Sequence, residues 1–433
     1  MIRFVFAALL VFAALPARAV DIQSVTSSGG ITAWLVESHE IPFTALEIRF
    51  QGGASLDAPE KRGAINLMTA TLEEGAGDLD SHGFAEAAEA LAAGFSFNVS
   101  DDVLSVSAKM LTENRDQAVA LLGQALNAPR FDQSAIDRVR GQVLSTIASD
   151  AKDPGAIAGE TFARLAYGDH PYGSSINGTA DSVAALTRDD IIEAKARVMA
   201  RDRIFVSAVG DITPEELGAV LDTLLGPLPA TGAPMPLRAT LGLTGGVTVV
   251  DYDSPQSMVL FGQEGLAMDD PDFFAAYVLN QVLGGGGFSS RLMDEVREKR
   301  GLTYGVASYL VPKDLAETWQ GSVASANEKV AEAIAVIRAE WARMAKDGVT
   351  EQELDEAKTY LTGAYPLRFD GNGPIADILV GMQLSDLPID YVNTRNAKVE
   401  AVTREDVARV AARLLDADSL RFVVVGRPVG LTN

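Results

Sequence analysis

Between residues 95 and 110 the chain alternates strictly. Phe95, Phe97 and Val99 interleave with Ser96, Asn98 and Ser100, then Leu104, Val106, Ala108 and Met110 interleave with polar neighbours beyond Asp101 and Asp102. A period of two on both sides of an acidic turn predicts an antiparallel hairpin with one buried face. Further on the period changes. Val330, Ile334, Ile337, Trp341 and Met344 recur at spacings of four and three, the apolar stripe of a helix lying on a core. The segment Leu186 to Ile212 also repeats, without a gap, as Val402 to Pro428. Thr187 meets Thr403, Arg188 meets Arg404, Asp190 meets Asp406 and Gly210 meets Gly426. In each copy a threonine suited to N-capping precedes an amphipathic helix, followed by a β-rich run (Ile204 to Val209, Leu420 to Val425) that ends at a glycine. Two copies predict two homologous domains, each an antiparallel-rich β-sheet with helices packed on it, an α+β fold. Between them Pro227, Pro229, Pro234 and Pro236 lack amide donors and disfavour helix or central strand. The expected organisation is a first domain over 20–228, a linker over 229–242 and a second domain over 243–433.

Composition narrows the function classes. The chain has 433 residues, 47% hydrophobic and 22% charged, an ordinary globular balance. Met1-Ile2-Arg3, the apolar run Phe4 to Leu15 and Pro16-Ala17-Arg18-Ala19 read as a secretory signal over residues 1–19, with cleavage after Ala19. The apolar run is shorter than the ~20 residues that span a bilayer. The expectation is an exported chain, periplasmic or secreted, without stable membrane insertion. There is no cysteine, so disulfides, thiolate ligands and lipid attached through sulfur are excluded. A formal charge of -23 opposes binding to nucleic acid and to anionic headgroups.

Common hydrolytic chemistry has no foothold. The three histidines, His39, His82 and His170, stand in no H-x-x-E-H spacing, which would put two imidazoles on one helix face. They read as a residue near a strand end, a helix start and a turn. There is no G-x-S-x-G elbow. The glycines 284–287 lead into Phe288-Ser289-Ser290 rather than a P-loop ending, and predict a flexible connection between two helices.

That glycine run opens the most specific segment, Gly284 to Leu310, GGGGFSSRLMDEVREKRGLTYGVASYL. It resembles the second domain of pitrilysin-type, or insulinase-type, metallopeptidases. The resemblance extends over nearly all of the mature chain, including 167–179, Leu186 to Asp190 and Val209 to Asp211. It implies that Arg297 and Tyr304 form the pair that grips the substrate backbone beside the scissile bond. The residue types suit the task, since a guanidinium brings fixed charge and several donors, and a phenol can donate to a carbonyl or a developing oxyanion. Where active relatives carry G-L-A-H-x-x-E-H, this chain has Gly63-Ala64-Ile65-Asn66-Leu67-Met68-Thr69-Ala70. Asn66, Thr69 and Ala70 replace both histidine ligands and the general base. The third ligand, a glutamate in relatives, falls near Ser145 or Thr146. The resemblance therefore implies a chain with no metal or other cofactor and no independent catalysis. It would be the non-catalytic, substrate-binding subunit of a heterodimeric zinc peptidase whose zinc is on a homologous partner, with peptides as substrates. The alternative is a structural or peptide-binding protein of the same fold.

Overall fold

The computed structural model describes residues 21–432. The expected signal segment, Met1 to Ala19, lies outside them. Two sheets organise the rest. The first contains β1 (Gln23–Thr26), β2 (Thr32–Glu37), β3 (Phe43–Gln51), β4 (Gly94–Val99), β5 (Val103–Leu111) and β6 (Ile204–Gly210), in the order β1-β2-β6-β3-β5-β4. The second contains β7 (Gly246–Asp251), β8 (Gln256–Glu264), β9 (Val306–Lys313), β10 (Ala316–Ala326) and β11 (Arg421–Gly426), in the order β9-β10-β8-β11-β7. Apart from β1 the two orders are the same, and each sheet has one parallel pair, β2 with β6 and β7 with β11. Every other pairing is antiparallel. The alternating run at 95–110 forms the β4–β5 hairpin, in register Phe97 to Val106.

The helices used below are α1 (Ala64–Ala70), α2 (Gln133–Asp150), α3 (Pro154–Tyr167), α4 (Arg188–Val198), α5 (Phe273–Asn280), α6 (Val330–Asp347), α7 (Glu351–Ala364), α8 (Asn372–Leu384), α9 (Tyr391–Glu400) and α10 (Arg404–Leu414). Thr187 and Thr403 cap α4 and α10 through reciprocal bonds with Asp190 and Asp406, so the sequence repeat is also a repeat of local geometry. The stripe from Val330 to Met344 buries α6 against β8 and β10 through Phe261, Trp319 and Trp341.

Both faces of each central strand are covered, and the second cover comes from the other half of the chain. Leu46, Ile48 and Phe50 of β3 point into the first core, while Ala45 and Val209 lie under α8 with Ala376 and Leu379. Ser207 Oγ donates to the Ala376 carbonyl at 2.6 Å, Gln383 Nε2 donates to the Val206 carbonyl at 2.8 Å, and Arg49 reaches Asp377 at 2.7 Å. Reciprocally, α3 lies on the second sheet, where Phe162, Ala158 and Ala166 pack with Val423 and Val425. Phe162 is 2% exposed and sits so close to Gly262 that a Cβ there would stand 2.8 Å from its ring. The proline-rich stretch has neither helix nor strand but is tied to both halves. Ala233 N donates to the Arg197 carbonyl and Ala239 N to the Leu315 carbonyl, each at 2.9 Å.

The two hairpin tips also meet. Lys313 Nζ, at the β9–β10 turn, bonds Asp101 at 2.5 Å and lies 4.3 Å from the centre of the Tyr172 ring. The Tyr172 hydroxyl donates to Asp102 and accepts from Leu315 N at 3.1 Å. Burial pushes the Asp102 carboxyl up to about 6, with the Tyr172 bond and Lys313 opposing the rise and Asp314 adding to it. A folded-state value above the unfolded one gives stability that is complete below about pH 4 and lost as pH rises through about 6. Asp102→Asn removes this dependence. Between pH 4 and pH 7.5 its stability relative to the parent chain should improve by roughly 2 kcal/mol in urea titrations. A difference that does not vary with pH would refute the assignment.

Candidate functional site

The segment from Gly284 to Leu310 is wound more tightly than its composition suggests. Gln281–Gly285 continues α5 as a wide π-helical turn, and Gly284 is buried against β9. A Cβ at Gly284 would stand 2.7 Å from the Ser308 amide nitrogen, so the glycine permits close helix-to-strand approach. The expected flexible connection is thus an ordered turn whose glycine is required by contact. After a 3-10 turn at Gly287–Ser289 a second π-helical segment, Met293–Glu298, carries Arg297. Such widened turns recur at functional sites because they re-aim side chains within a helix.

Local charges set the partner of each cation in Arg297-Glu298-Lys299-Arg300. Glu295 receives Lys299 at 2.7 Å and Arg300 at 2.5 Å, bonds that hold its carboxyl down to about 2. Arg291 is locked on Glu353 at 2.6 Å and on the Gly348 carbonyl at 2.9 Å. Among the described residues the Arg297 side chain instead bonds its exposed neighbour Glu298, and its guanidinium lies 4.8 Å from the centre of the Phe288 ring. Gly301 (φ 59°) then turns the chain, and its amide donates to the Arg297 carbonyl at 2.8 Å. Thr303 Oγ1 donates to the Ala324 carbonyl at 2.6 Å, which fixes the residue before Tyr304 against β10. Tyr304 is left 87% exposed just ahead of β9.

Arg297 and Tyr304 line one concavity of about 430 Å3, with Gln256, Thr303 and Lys329. The two residues singled out by the sequence are therefore brought together on one concavity, Tyr304 exposed and Arg297 half-buried with its guanidinium on Glu298 and Phe288. Phe288, 71% exposed, and Glu295, which holds the two competing cations, were missed. A sequence signal existed for Glu295, an acid four and five residues before Lys299 and Arg300 on a helical segment. None marked Phe288.

The other sequence-predicted positions gather around α1. Asp57 caps its start, accepting from Gly63 N at 2.9 Å and Ile65 N at 2.8 Å. Asn66 Nδ2 donates to Asn177 Oδ1 at 2.9 Å, and Thr69 Oγ1 donates to the Ile65 carbonyl at 2.7 Å, within its own helix. Ala70 offers no donor atom. Ser145 and Thr146 lie on α2, which packs against α1, and Thr146 Oγ1 turns back to the Gln142 carbonyl at 3.2 Å. An amide, hydroxyls and a methyl group, the polar ones engaged locally where bonds form, do not match the imidazole and carboxylate set that zinc requires. Among the described residues no group of three or more histidines, cysteines or acids is placed to hold a metal. The histidines are dispersed. His39 bonds Asp211 at 2.6 Å, which raises its pKa, His82 lies 3.7 Å from Glu86, and His170 caps the turn before Tyr172.

The family description "Insulinase (Peptidase family M16)" matches residues 33–180, and "Peptidase M16 inactive domain" matches 185–361. An uncharacterized zinc protease of Mycobacterium tuberculosis is 31% identical, with 71% of each chain covered. The chain belongs to the M16 peptidase family. Within M16 it is 26% identical to the non-peptidase homolog YmxG of Helicobacter pylori, with 98% of both chains covered. A crystal structure of a peptidase M16 inactive domain from Pseudomonas fluorescens superposes with a TM-score of 0.89 at 28% identity, covering 95% of this chain and 99% of that one. This M16 chain thus has the duplicated fold and lacks H-x-x-E-H.

Proposed function

We propose that this chain is the non-catalytic, substrate-holding subunit of an exported, periplasmic two-chain zinc peptidase. The observation that carries the reading is an asymmetry. Arg297 and Tyr304 share an open concavity, whereas Asn66, Thr69 and Ala70 supply neither the imidazoles nor the carboxylate of a zinc site. A homologous partner bearing H-x-x-E-H would supply zinc and hydrolysis. This chain would supply a fixed guanidinium and a phenolic donor to the peptide carbonyl, positioned by the Glu295 and Thr303 contacts. The family match and the likeness to a non-peptidase homolog support it.

Complex formation tests the pairing. Incubated with an H-x-x-E-H relative from the same organism, the chain is expected to elute as a one-to-one complex in size-exclusion chromatography. Separate elution at micromolar concentration of both chains would contradict the reading and favour a structural or peptide-binding role alone.

A further inference from the structure

Four arginines are buried among the described residues: Arg49, Arg115, Arg203 and Arg395. Three hold a carboxylate, Arg49 on Glu47 at 2.7 Å, Arg115 on Glu216 at 2.5 Å and Arg203 on Asp202 at 2.8 Å. Arg395 on α9 is the most buried of the four, 6% exposed, and among the described residues no carboxylate lies within 4 Å of it. Its Nη1 donates to the Leu361 carbonyl at 2.7 Å and to Asn396 Oδ1 at 2.9 Å. Its guanidinium also lies 4.5 Å from the Tyr365 ring centre and 5.4 Å from that of Tyr277. Carbonyls and ring faces offset part of a buried charge, but an ionised guanidinium withdrawn from water is best balanced by an anion.

The surroundings show where that anion would sit. Arg395 lines a cavity of about 320 Å3 between α5, α8, α9 and the Pro366–Arg368 turn. Arg368, exposed and also without a carboxylate partner, lines the same cavity. The single carboxylate in the lining, Asp377, is already held by Arg49 at 2.7 Å. Most of the remaining wall is apolar or aromatic, including Phe274, Met382 and Leu387. Tyr365 and Tyr391 stand at the guanidinium, and burial raises both phenols above their ordinary value. In a chain of charge -23, this cavity places two cations without carboxylate partners on one aromatic wall.

We infer that this cavity binds an apolar carboxylate, its carboxylate on Arg395 and Arg368 and its apolar body against Phe274, Met382 and Leu387. The guanidinium fork matches a carboxylate in two-point geometry, and the volume lies at the small end of ligand pockets. The carboxylate is either the free C-terminus of a peptide with an apolar last residue or that of a small acid. The cavity shares no lining residue with the concavity of Arg297 and Tyr304, so the inference does not depend on the two-chain reading.

Calorimetric titration of the full chain with three probes decides it: N-acetyl-leucyl-phenylalanine, its C-terminal amide, and 4-phenylbutyrate. The free peptide acid is expected to bind at least about tenfold more tightly than the amide, since a charge-assisted bond is lost. Arg368→Gln, at an exposed position, should weaken the acid several-fold and leave the amide unchanged. Arg395→Gln should abolish the preference for the acid. Should that variant not fold, Arg368→Gln alone carries the test. Equal binding of 4-phenylbutyrate would identify a small acid as sufficient, and binding of the peptide acid alone would identify a chain terminus. Acid and amide binding equally, or neither acid binding at millimolar concentration, would overturn the inference.

Discussion

Arg297→Ala is expected to lower kcat of the assembled pair by about 100-fold, the scale seen when one preorganised donor to a developing oxyanion is removed. The size follows from how the side chain is held. Lys299 and Arg300 are drawn back onto Glu295, so neither can replace it, and Phe288 supports the guanidinium from one face. Arg297→Lys should recover only part of the rate, because an ammonium lacks the planar fork. Tyr304→Phe removes one neutral hydroxyl and should cost about tenfold. Neither change should disturb the fold, since Tyr304 is almost fully exposed and the Arg297 side chain bonds its exposed neighbour Glu298. Steady-state kinetics of complexes with verified stoichiometry measure the effect. Unchanged kcat for Arg297→Ala would remove that residue from the site.

Phe162→Ala should be the most destabilising single change outside the two main cores, by about 3–5 kcal/mol in urea titration. The ring belongs to α3, yet it fills the face of the second sheet between Gly262 and the β11 valines. Gly262 cannot fill the space left behind, so a cavity remains where the halves join. The loss should appear as a lower urea midpoint, read from the near-ultraviolet tryptophan signal of the chain with Trp34 replaced by Phe, so that Trp319 and Trp341 of the second half report alone. A loss below 1 kcal/mol would mean that α3 is not what binds the halves together.

The local elements were legible because their signals are local. The 95–110 alternation, the Val330 to Met344 stripe and the two threonine caps each depend on neighbours within one turn or one hairpin. The exchange of α3 and α8 was not legible. An apolar helix face shows that it is buried but not which sheet buries it, and the two sheets are near copies. Glycines 284–287 misled for a related reason. Gly284 is small because β9 approaches it, a contact with Ser308 that composition does not show. At the site, the pairing of Arg297 with Tyr304 came from motif resemblance, and the structure adds the shared concavity and the part played by Glu295. Arg395 gave no signal in the sequence, because a buried arginine without a carboxylate partner is recognised only once its neighbours are placed.

One measurement bears most directly on the division of labour between two chains: the rate of peptide hydrolysis by this chain, by its H-x-x-E-H relative, and by the two together. This chain alone is expected to give no hydrolysis, and the relative alone a low rate. The mixture is expected to give a rate that is at least about tenfold above the sum and abolished by a zinc chelator. A mixture no faster than the relative alone, or chelator-resistant hydrolysis by this chain alone, would contradict that division.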